Sequence, residues 1–431
     1  MNRWNKYTQR LNYEGHTILF QIETDEVLLL TEELSKLVQK YSNNPDGIAD
    51  VHPELFKKLC DGKFLVGSDV DEAELLIDSW KKADNDPKSF SVIINPTLNC
   101  NLRCWYCYEH HQKDSRMSDE TVRLVHKLLN NKCSSPDLET LNISFFGGEP
   151  LLYFNEIVFP LLEYASDLCE KHGKKLSIAF TTNSTLLTSA MLDKLDSLKL
   201  CEKPYFQITL DGNEFFHDKT RISHTFPHTY KTILHNIQML LARGYKVNMR
   251  LNYTGDNIYS FLDVLTDLDK VEKDNRDTLQ VNLQQVWQDG NKNPQAKQQA
   301  EDIAGIFRDN GFNASSDTIY TRNNCYADKA NSLVINYDGN IFKCTAREFN
   351  EKNREGVLND DGNIVWNDRY AKRMQIVYSN PICKRCEILP LCNGGCSQSK
   401  LESNRIGCLL DYSQDDKKNI VEGRLFEILN R

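Results

Sequence analysis

Three cysteines, Cys100, Cys104 and Cys107, fall within eight residues of this 431-residue chain, at offsets of four and three. Three thiols are one short of the ligand set of an iron–sulfur cube, so one iron would keep an open position at which chemistry can be done. A structural zinc site lacking its fourth ligand, or buried cysteines that ligate nothing, are the competing readings. A second group holds Cys325, Cys344, Cys383, Cys386, Cys392, Cys396 and Cys408. Its spacing Cys383-x2-Cys386-x5-Cys392-x3-Cys396 is too dense for disulfides, and spacing alone leaves zinc and an iron–sulfur cluster as equal readings.

The elements that must position these residues read as alternating strands and helices between residues 89 and 290. Strands are predicted at Phe90 to Asn95, Leu141 to Phe146, Leu176 to Thr181, Phe206 to Leu210, Val247 to Asn252 and Val281 to Val286. Helices fall between them, for example at Asp119 to Leu129, Glu156 to Glu170, Ala190 to Leu198 and Tyr230 to Arg243. Six such units predict an α/β fold, a partial (β/α)6 TIM-like barrel whose chemistry sits at the carboxyl ends of its strands. Four strand ends carry suitable groups: Cys100 to Cys107, then Gly147-Gly148-Glu149-Pro150, then Asn183-Ser184, then Thr209 with Asp211, His217, Asp218 and Arg221. The two glycines let a ligand approach the backbone, and a carboxylate accepts from an ammonium.

Around this segment the chain divides further. Residues 1–88 read as a small α+β unit, with strands on either side of Glu14-Gly15-His16, a helix capped by Thr31 and another from Pro53 to Cys60. Docking a peptide or acting as a lid are its two candidate roles. Residues 291–320 read as a connector whose helix, Gln295 to Phe307, is mostly solvated. In 321–412, Leu333 to Asn336 and Asn340 to Lys343 flank Asp338-Gly339, a hairpin that presents Cys344. Residues 413–431 read as an amphipathic helix facing the body with Ile420, Leu425, Phe426 and Leu429.

Composition limits the function. Lys plus Arg number 52 against 61 Asp plus Glu, a net charge of -9, which argues against a nucleic-acid partner held by its phosphates. No run of apolar residues is long enough for a membrane span and no signal peptide opens the chain, so a cytoplasmic protein is expected. Fourteen cysteines in a reducing compartment suit metal ligation better than disulfides.

The cysteine triplet with Tyr106 before its last member, together with Gly147 to Pro150, resembles the radical S-adenosylmethionine (SAM) enzymes. The resemblance implies a [4Fe–4S] cluster on Cys100, Cys104 and Cys107, with the amino and carboxylate groups of SAM on the open iron. It also implies Tyr106 near the adenine, Gly147 leaving room for the ligand, and Gly148 and Glu149 at the SAM amino group. Asn183, Ser184, Thr209 and Arg221 are looser candidates for ribose and carboxylate contacts. The later cysteines resemble the SPASM extension of peptide-modifying relatives, including the sulfatase-maturing enzymes. By that resemblance Cys383, Cys386, Cys392 and Cys408 ligate an outer auxiliary [4Fe–4S] cluster and Cys325, Cys344 and Cys396 an inner one, three clusters in all. The inner set is one ligand short, leaving an iron open to a substrate thiolate, to Cys201, to another side chain or to water. No cysteine lies between Cys325 and Cys344, and Thr345 stands where sulfatase-maturing relatives carry an aspartate base.

These features predict a radical SAM maturase that forms a thioether or carbon–carbon crosslink, or another radical modification, in a ribosomally made precursor peptide. Its electron donor would be a flavodoxin or ferredoxin. Oxidation of Cys or Ser to formylglycine is the alternative within enzymes; an iron–sulfur electron-transfer or zinc scaffold protein is the alternative outside them. Asp211, Glu214, Asp328 and Glu348 are the candidate acids or bases.

Overall fold

The computed structural model describes all residues except 224–227, 272, 291–292, 294, 317–324, 404–406 and 430–431. Parts of the predicted loop at 289–294 and the boundary predicted near residue 320 therefore lie outside the described residues. Two compact units form: Met1–Asn85 with Ile319–Lys329 and Lys372–Arg431, and Asp86–Thr318 with Ala330–Ala371. The sequence-based division differs, because the hairpin expected in the cysteine-rich domain joins the second unit.

In the first unit, β1 (Asn2–Trp4) is followed by an antiparallel sheet of β2 (Thr8–Tyr13), β3 (His16–Gln21) and β4 (Glu26–Leu30). The β2–β3 turn places Glu14 and Gly15 at φ 48° and 82°, the positive pair that a tight hairpin demands. Thr31 caps helix Glu32–Lys40 by accepting from Leu34 N at 3.3 Å. Helices Pro53–Asp61 and Glu72–Asp84 follow, and β5 (Leu65–Gly67) between them pairs with β1. One face of the sheet buries Leu19 and Leu30 with Val38, Leu55 and Leu59. The other buries Ile18 and Phe20 against Leu76 and against the C-terminal residues Ile388, Leu391, Ile420 and Leu425. The last helix, Gln414–Leu429, buries Ile420, Val421, Arg424 and Leu425, whereas Phe426 and Leu429 are exposed, so the predicted face is corrected. Arg424 draws the helix inward, because its guanidinium grips both oxygens of Asp25 at 3.1 and 2.6 Å.

The second unit begins with β6 (Ser89–Ile94) and β7 (Leu102–Cys104), then β8 (Thr140–Phe145), β9 (Lys175–Thr182), β10 (Tyr205–Leu210), β11 (Arg221–Ser223), β12 (Lys246–Tyr253), β13 (Leu279–Gln285) and β14 (Asn313–Ser315). Seven of these, β6, β8, β9, β10, β12, β13 and β14, pair in parallel and in chain order. Unbroken order winds the crossover helices to one side of the sheet, as in a barrel, where a doubly wound sheet would reverse. Burial alternates along β9, so Leu176, Ile178 and Phe180 enter the helix-side core while Ser177, Ala179 and Thr181 face the other way. Parallel strands covered on both faces would read as continuous apolar runs, and these do not. Phe145, Phe180 and Phe206 stack across three adjacent strands at 5.4 and 4.9 Å; truncating the middle ring to alanine would cost about 3–5 kcal/mol.

Residues 291–320 are more than a connector. Helix Ala296–Asp309 buries Ala296, Ala300, Ile303, Ala304 and Phe307, and β14 then adds a parallel strand beyond β13. At the opposite edge, β15 (Ser332–Ile335) pairs in parallel with β6, and β16 (Asn340–Phe342), β17 (Gly356–Leu358) and β18 (Ile364–Trp366) continue it as an antiparallel meander. Among the described residues the sheet has eleven strands and is open at β14 and β18.

Candidate active site

Beyond β6 the chain enters the cysteine loop, which is tied down before the first thiol. Thr97 Oγ1 donates to Ser115 O at 2.5 Å, Asn99 N donates back to Thr97 Oγ1 at 2.8 Å and Leu98 N to Ser115 Oγ at 2.9 Å. β7 then pairs with β11, setting Cys104 opposite Arg221. The glycines after β8 hold the loop from the other side. Gly148 N donates to Thr97 O at 3.1 Å and Glu149 N to Asn99 O at 2.8 Å. A Cβ on Gly148 would stand 2.1 Å from Asn99 O, and one on Gly147, at φ 103°, 2.4 Å from Thr97 O. Only glycine allows two backbones this close.

Glu149 is turned inward. Its fully buried carboxylate accepts from Leu151 N at 3.0 Å, Thr182 Oγ1 at 2.7 Å and Asn183 N at 2.8 Å, locking the end of β9 to that of β8. Asn183 extends the lock by donating to Cys100 Sγ at 3.7 Å and Asn101 Oδ1 at 2.9 Å. Tyr106 is fixed by a second network, its hydroxyl accepting from Arg221 Nη2 and Asn252 Nδ2, each at 2.9 Å. Arg221 Nε donates to Asp211 Oδ2 at 2.5 Å, an ion pair in which both partners are buried. Burial drives the Tyr106 phenol well above its ordinary range and keeps it neutral.

These networks wall one cavity of about 980 Å³, counted to its open mouth. Cys100, Cys104, Cys107, Tyr106, Gly147, Gly148, Asn183, Thr209 and Arg221 all line it. Ser184 is not among the lining residues; its backbone sits at φ 58° and its hydroxyl is buried, with no hydrogen-bond partner among the described residues. Glu149 is likewise not among the lining residues. None of the four candidate acids or bases lines the cavity. Asp211 is consumed by Arg221, Glu214 pairs with Lys231 at 2.8 Å, Asp328 belongs to the first unit, and exposed Glu348 accepts from Asn350.

The wall also holds residues that the motifs did not single out, among them Glu109, Gln207, Arg250, Asn252, Trp287 and Gln288. Both carboxylate oxygens of Glu109 are buried, with no hydrogen-bond partner among the described residues, and burial pushes this carboxyl up to about 8. Arg250 Nε donates to Asn252 Oδ1 at 2.8 Å, and among the described residues no carboxylate lies in ion-pair range of its guanidinium. A lone Glu or Arg carries no signal in a sequence; Arg250 reaches the cavity from β12 and Glu109 from the loop after β7.

The thiols suit a cluster. Burial pushes Cys100 up to about 12 and Cys104 to about 11, so neither ionises at neutral pH unless a cation compensates it, as a metal does. Among the described residues, only Glu214, Asp218 and His228 bring three ligand atoms within 4.8 Å of one another. The three thiols are therefore spread beyond the roughly 3.8 Å that a tetrahedral zinc with bonds of about 2.3 Å imposes. In the first unit Cys383, Cys386, Cys392 and Cys408 line one cavity of about 990 Å³ walled by Ile388, Leu389 and Tyr412. Of the predicted inner set, Cys325 and Cys396 lie exposed in the first unit, while Cys344 follows β16 in the second and its Sγ accepts from Ala346 N at 3.4 Å. Cys201 is exposed in a loop, whereas Cys133 and Cys169 are core residues.

Residues 94–268 match the profile described as the Radical SAM superfamily. The chain is 23% identical over 349 residues to the cysteine-type anaerobic sulfatase-maturating enzyme of Clostridium novyi, covering 73% of this chain and 89% of that one. Two other curated relatives are matched over only 39% and 37% of their own length. Among solved structures, native anSMEcpe with bound AdoMet and Kp18Cys peptide superposes with a TM-score of 0.60 at 20% identity, over 79% of this chain and 98% of that one. Streptococcus suis SuiB bound to precursor peptide SuiA gives 0.54 at 14%, over 96% and 100%. At such identities the two structures establish a shared fold. Residues 94–268, with their cysteine loop seated at the carboxyl ends of a parallel sheet, form a radical SAM domain.

Proposed function

We propose that this protein is a SAM-dependent radical maturase that modifies a ribosomally made peptide, forming a thioether or carbon–carbon crosslink or another radical product. One observation carries the reading: a single cavity is lined together by the three cysteines, Tyr106, the two close-packed glycines and the polar ends of β9, β10 and β12. The open sheet serves as a partial barrel around that cavity. Cys100, Cys104 and Cys107 would hold a [4Fe–4S] cluster and the glycine-lined wall would hold SAM; bound there, the two would supply radical chemistry able to remove hydrogen from an unactivated carbon. The chain's own residues position and shield. Gly148 and Glu149 fix the cysteine loop through Thr97 O and Asn99 O. Asn183 donates to the Cys100 sulfur, favouring its anionic form. Tyr106 closes one side, anchored by Arg221 and Asn252. Arg250 offers its outer guanidinium nitrogens to an anionic group, and Glu109 holds a proton on its carboxyl below about pH 8 and can donate it in a hydrogen bond.

Cys383, Cys386, Cys392 and Cys408 are assigned to an outer auxiliary cluster and Cys325, Cys344 and Cys396 to an inner one. The fold shared with two peptide-bound proteins supports a peptide substrate, and the N-terminal sheet is the proposed docking element. A flavodoxin or ferredoxin is the proposed electron donor. No helix among the described residues is long and apolar enough to cross a membrane. The second reading, oxidation of Cys or Ser to formylglycine, is favoured by the length of the similarity to the Clostridium novyi relative and opposed by Thr345.

The test is anaerobic incubation of reconstituted protein, SAM and dithionite with peptides encoded by small reading frames beside the gene. Loss of two hydrogen atoms, with fragment ions missing between two linked residues, is expected for a crosslink. Exchange of a cysteine sulfur for an aldehyde oxygen would establish formylglycine formation instead, and unchanged peptides with no SAM cleavage would refute both.

A further inference from the structure

The four-cysteine cavity of the first unit has a charge beside it that no ligand role explains. After Cys392 the chain passes through three left-handed residues, Asn393, Gly394 and Gly395, at φ 54°, 75° and 79°. This run folds Gly394 back onto Cys383 and aims its N–H at the Cys392 sulfur. A Cβ on Gly394 would stand 3.8 Å from Cys383 Sγ and 3.6 Å from Lys400 Nζ. Those two legs place the Lys400 ammonium no farther than about 7.4 Å from the sulfur, inside the distance over which salt screens charge.

Two lysines stand near these thiols, and they differ. Lys417 lines the cavity and is neutralised by Glu387 at 3.1 Å. Lys400, on the short helix Ser397–Glu402, donates to Val377 O at 2.7 Å, and among the described residues no carboxylate lies within ion-pair distance. Asp328, an acid in its field, accepts from the Ser397 hydroxyl and also faces Arg373. A half-buried ammonium bonded to a neutral carbonyl is costly to keep unless its field is used. Net charge and hydrogen bonds to sulfur are what set the potential of an iron–sulfur centre.

We propose that Lys400 is a positioning residue for electrons: its ammonium raises the reduction potential of the centre held by Cys383, Cys386, Cys392 and Cys408. This rests on reading those thiols as cluster ligands. The step is uptake of one electron from a low-potential one-electron donor. The centre gains one negative charge, no bond or proton moves, and Lys400 keeps its charge throughout. A unit charge acting over about 7–10 Å at an effective dielectric of about 20 changes the reduced-to-oxidised ratio roughly ten- to fiftyfold.

The test is an anaerobic redox titration of the reconstituted full chain, followed by electron paramagnetic resonance on the signal that Cys386→Ser removes. Lys400→Gln keeps a donor to Val377 O without the charge, Lys400→Met removes both, and Lys400→Arg keeps the charge. The expected result is a lower midpoint in the Gln and Met variants, by at least the tenfold ratio that corresponds to about 59 mV for one electron, with Arg close to wild type. A wild-type midpoint in a Gln variant of full iron content overturns the proposal, as does an equal shift in Arg and Gln, which would mean packing rather than charge. If wild type shows no signal that Cys386→Ser removes, the cluster reading itself has failed.

Discussion

Gly148→Ala isolates the contact between the glycine turn and the cysteine loop. The added methyl would stand 2.1 Å from Asn99 O, where ordinary contact begins near 3.4 Å, so the carbonyl next to Cys100 must retreat by more than an ångström. That movement breaks the 2.8 Å bond from Glu149 N to Asn99 O and pulls at Thr97, which is already held by Ser115. Overpacking of this kind costs about 1–3 kcal/mol, and the lost buried hydrogen bond adds about 1 kcal/mol. The expected outcome is selective: the folded protein persists with a lower thermal midpoint, while reconstituted iron falls by about four atoms per chain because the first site no longer closes. Gly173→Ala is the control, since that glycine sits at φ 63° with nothing within 4 Å of an added Cβ. It should lose about 1 kcal/mol of stability and no iron. Full iron in Gly148→Ala, or equal iron loss in both variants, would refute the reasoning.

Two further outcomes follow from buried charge. Asp211→Ala and Arg221→Met should each cost about 3–5 kcal/mol in urea unfolding, because each strands a buried partner; the double variant should recover about 2 kcal/mol or more of the summed loss, and additive losses would deny the coupling. Glu72 is 5% exposed and bonded by Arg3 at 2.6 and 2.7 Å. Burial works to raise its carboxyl, but the bonds from Arg3 and Lys6 N outweigh it and hold the group down to about 2. A depressed carboxyl stabilises above its unfolded value near 4.5 and loses that contribution as pH falls toward 2. Glu72→Gln should therefore cost about 2 kcal/mol at pH 7, allowing for screening through half-exposed Arg3, and progressively less between pH 4.5 and 2; a constant difference would contradict the linkage.

The strands of the parallel sheet were legible because their apolar residues alternate, and the cysteine loop because thiols at close spacing have few uses. Helix Ala296–Asp309 was legible as a helix, but its burial was not, since the buried face is built largely from alanines that look neutral beside glutamines and lysines. The core shared by the N-terminal sheet and residues 388–425 joins segments far apart in the chain, which local periodicity does not record. Phe426 and Leu429 suggested a face that the Arg424–Asp25 ion pair rotates away. In the site, Glu149 carried the right chemistry for an ammonium and spends it on Thr182, Leu151 N and Asn183 N. Acids beside strand ends were obvious candidates, yet Asp211 is neutralised by Arg221, whereas Glu109 was hidden in a polar loop until the fold buried it.

The central claim is that the cavity between the cysteine loop and the glycine turn binds SAM and cleaves it reductively. Anaerobically reconstituted protein, given SAM and dithionite, should release 5′-deoxyadenosine, detected by mass spectrometry, and Cys104→Ala should release none. A wild-type protein of full iron content that forms no 5′-deoxyadenosine, or a Cys104→Ala variant that forms as much as wild type, would contradict it.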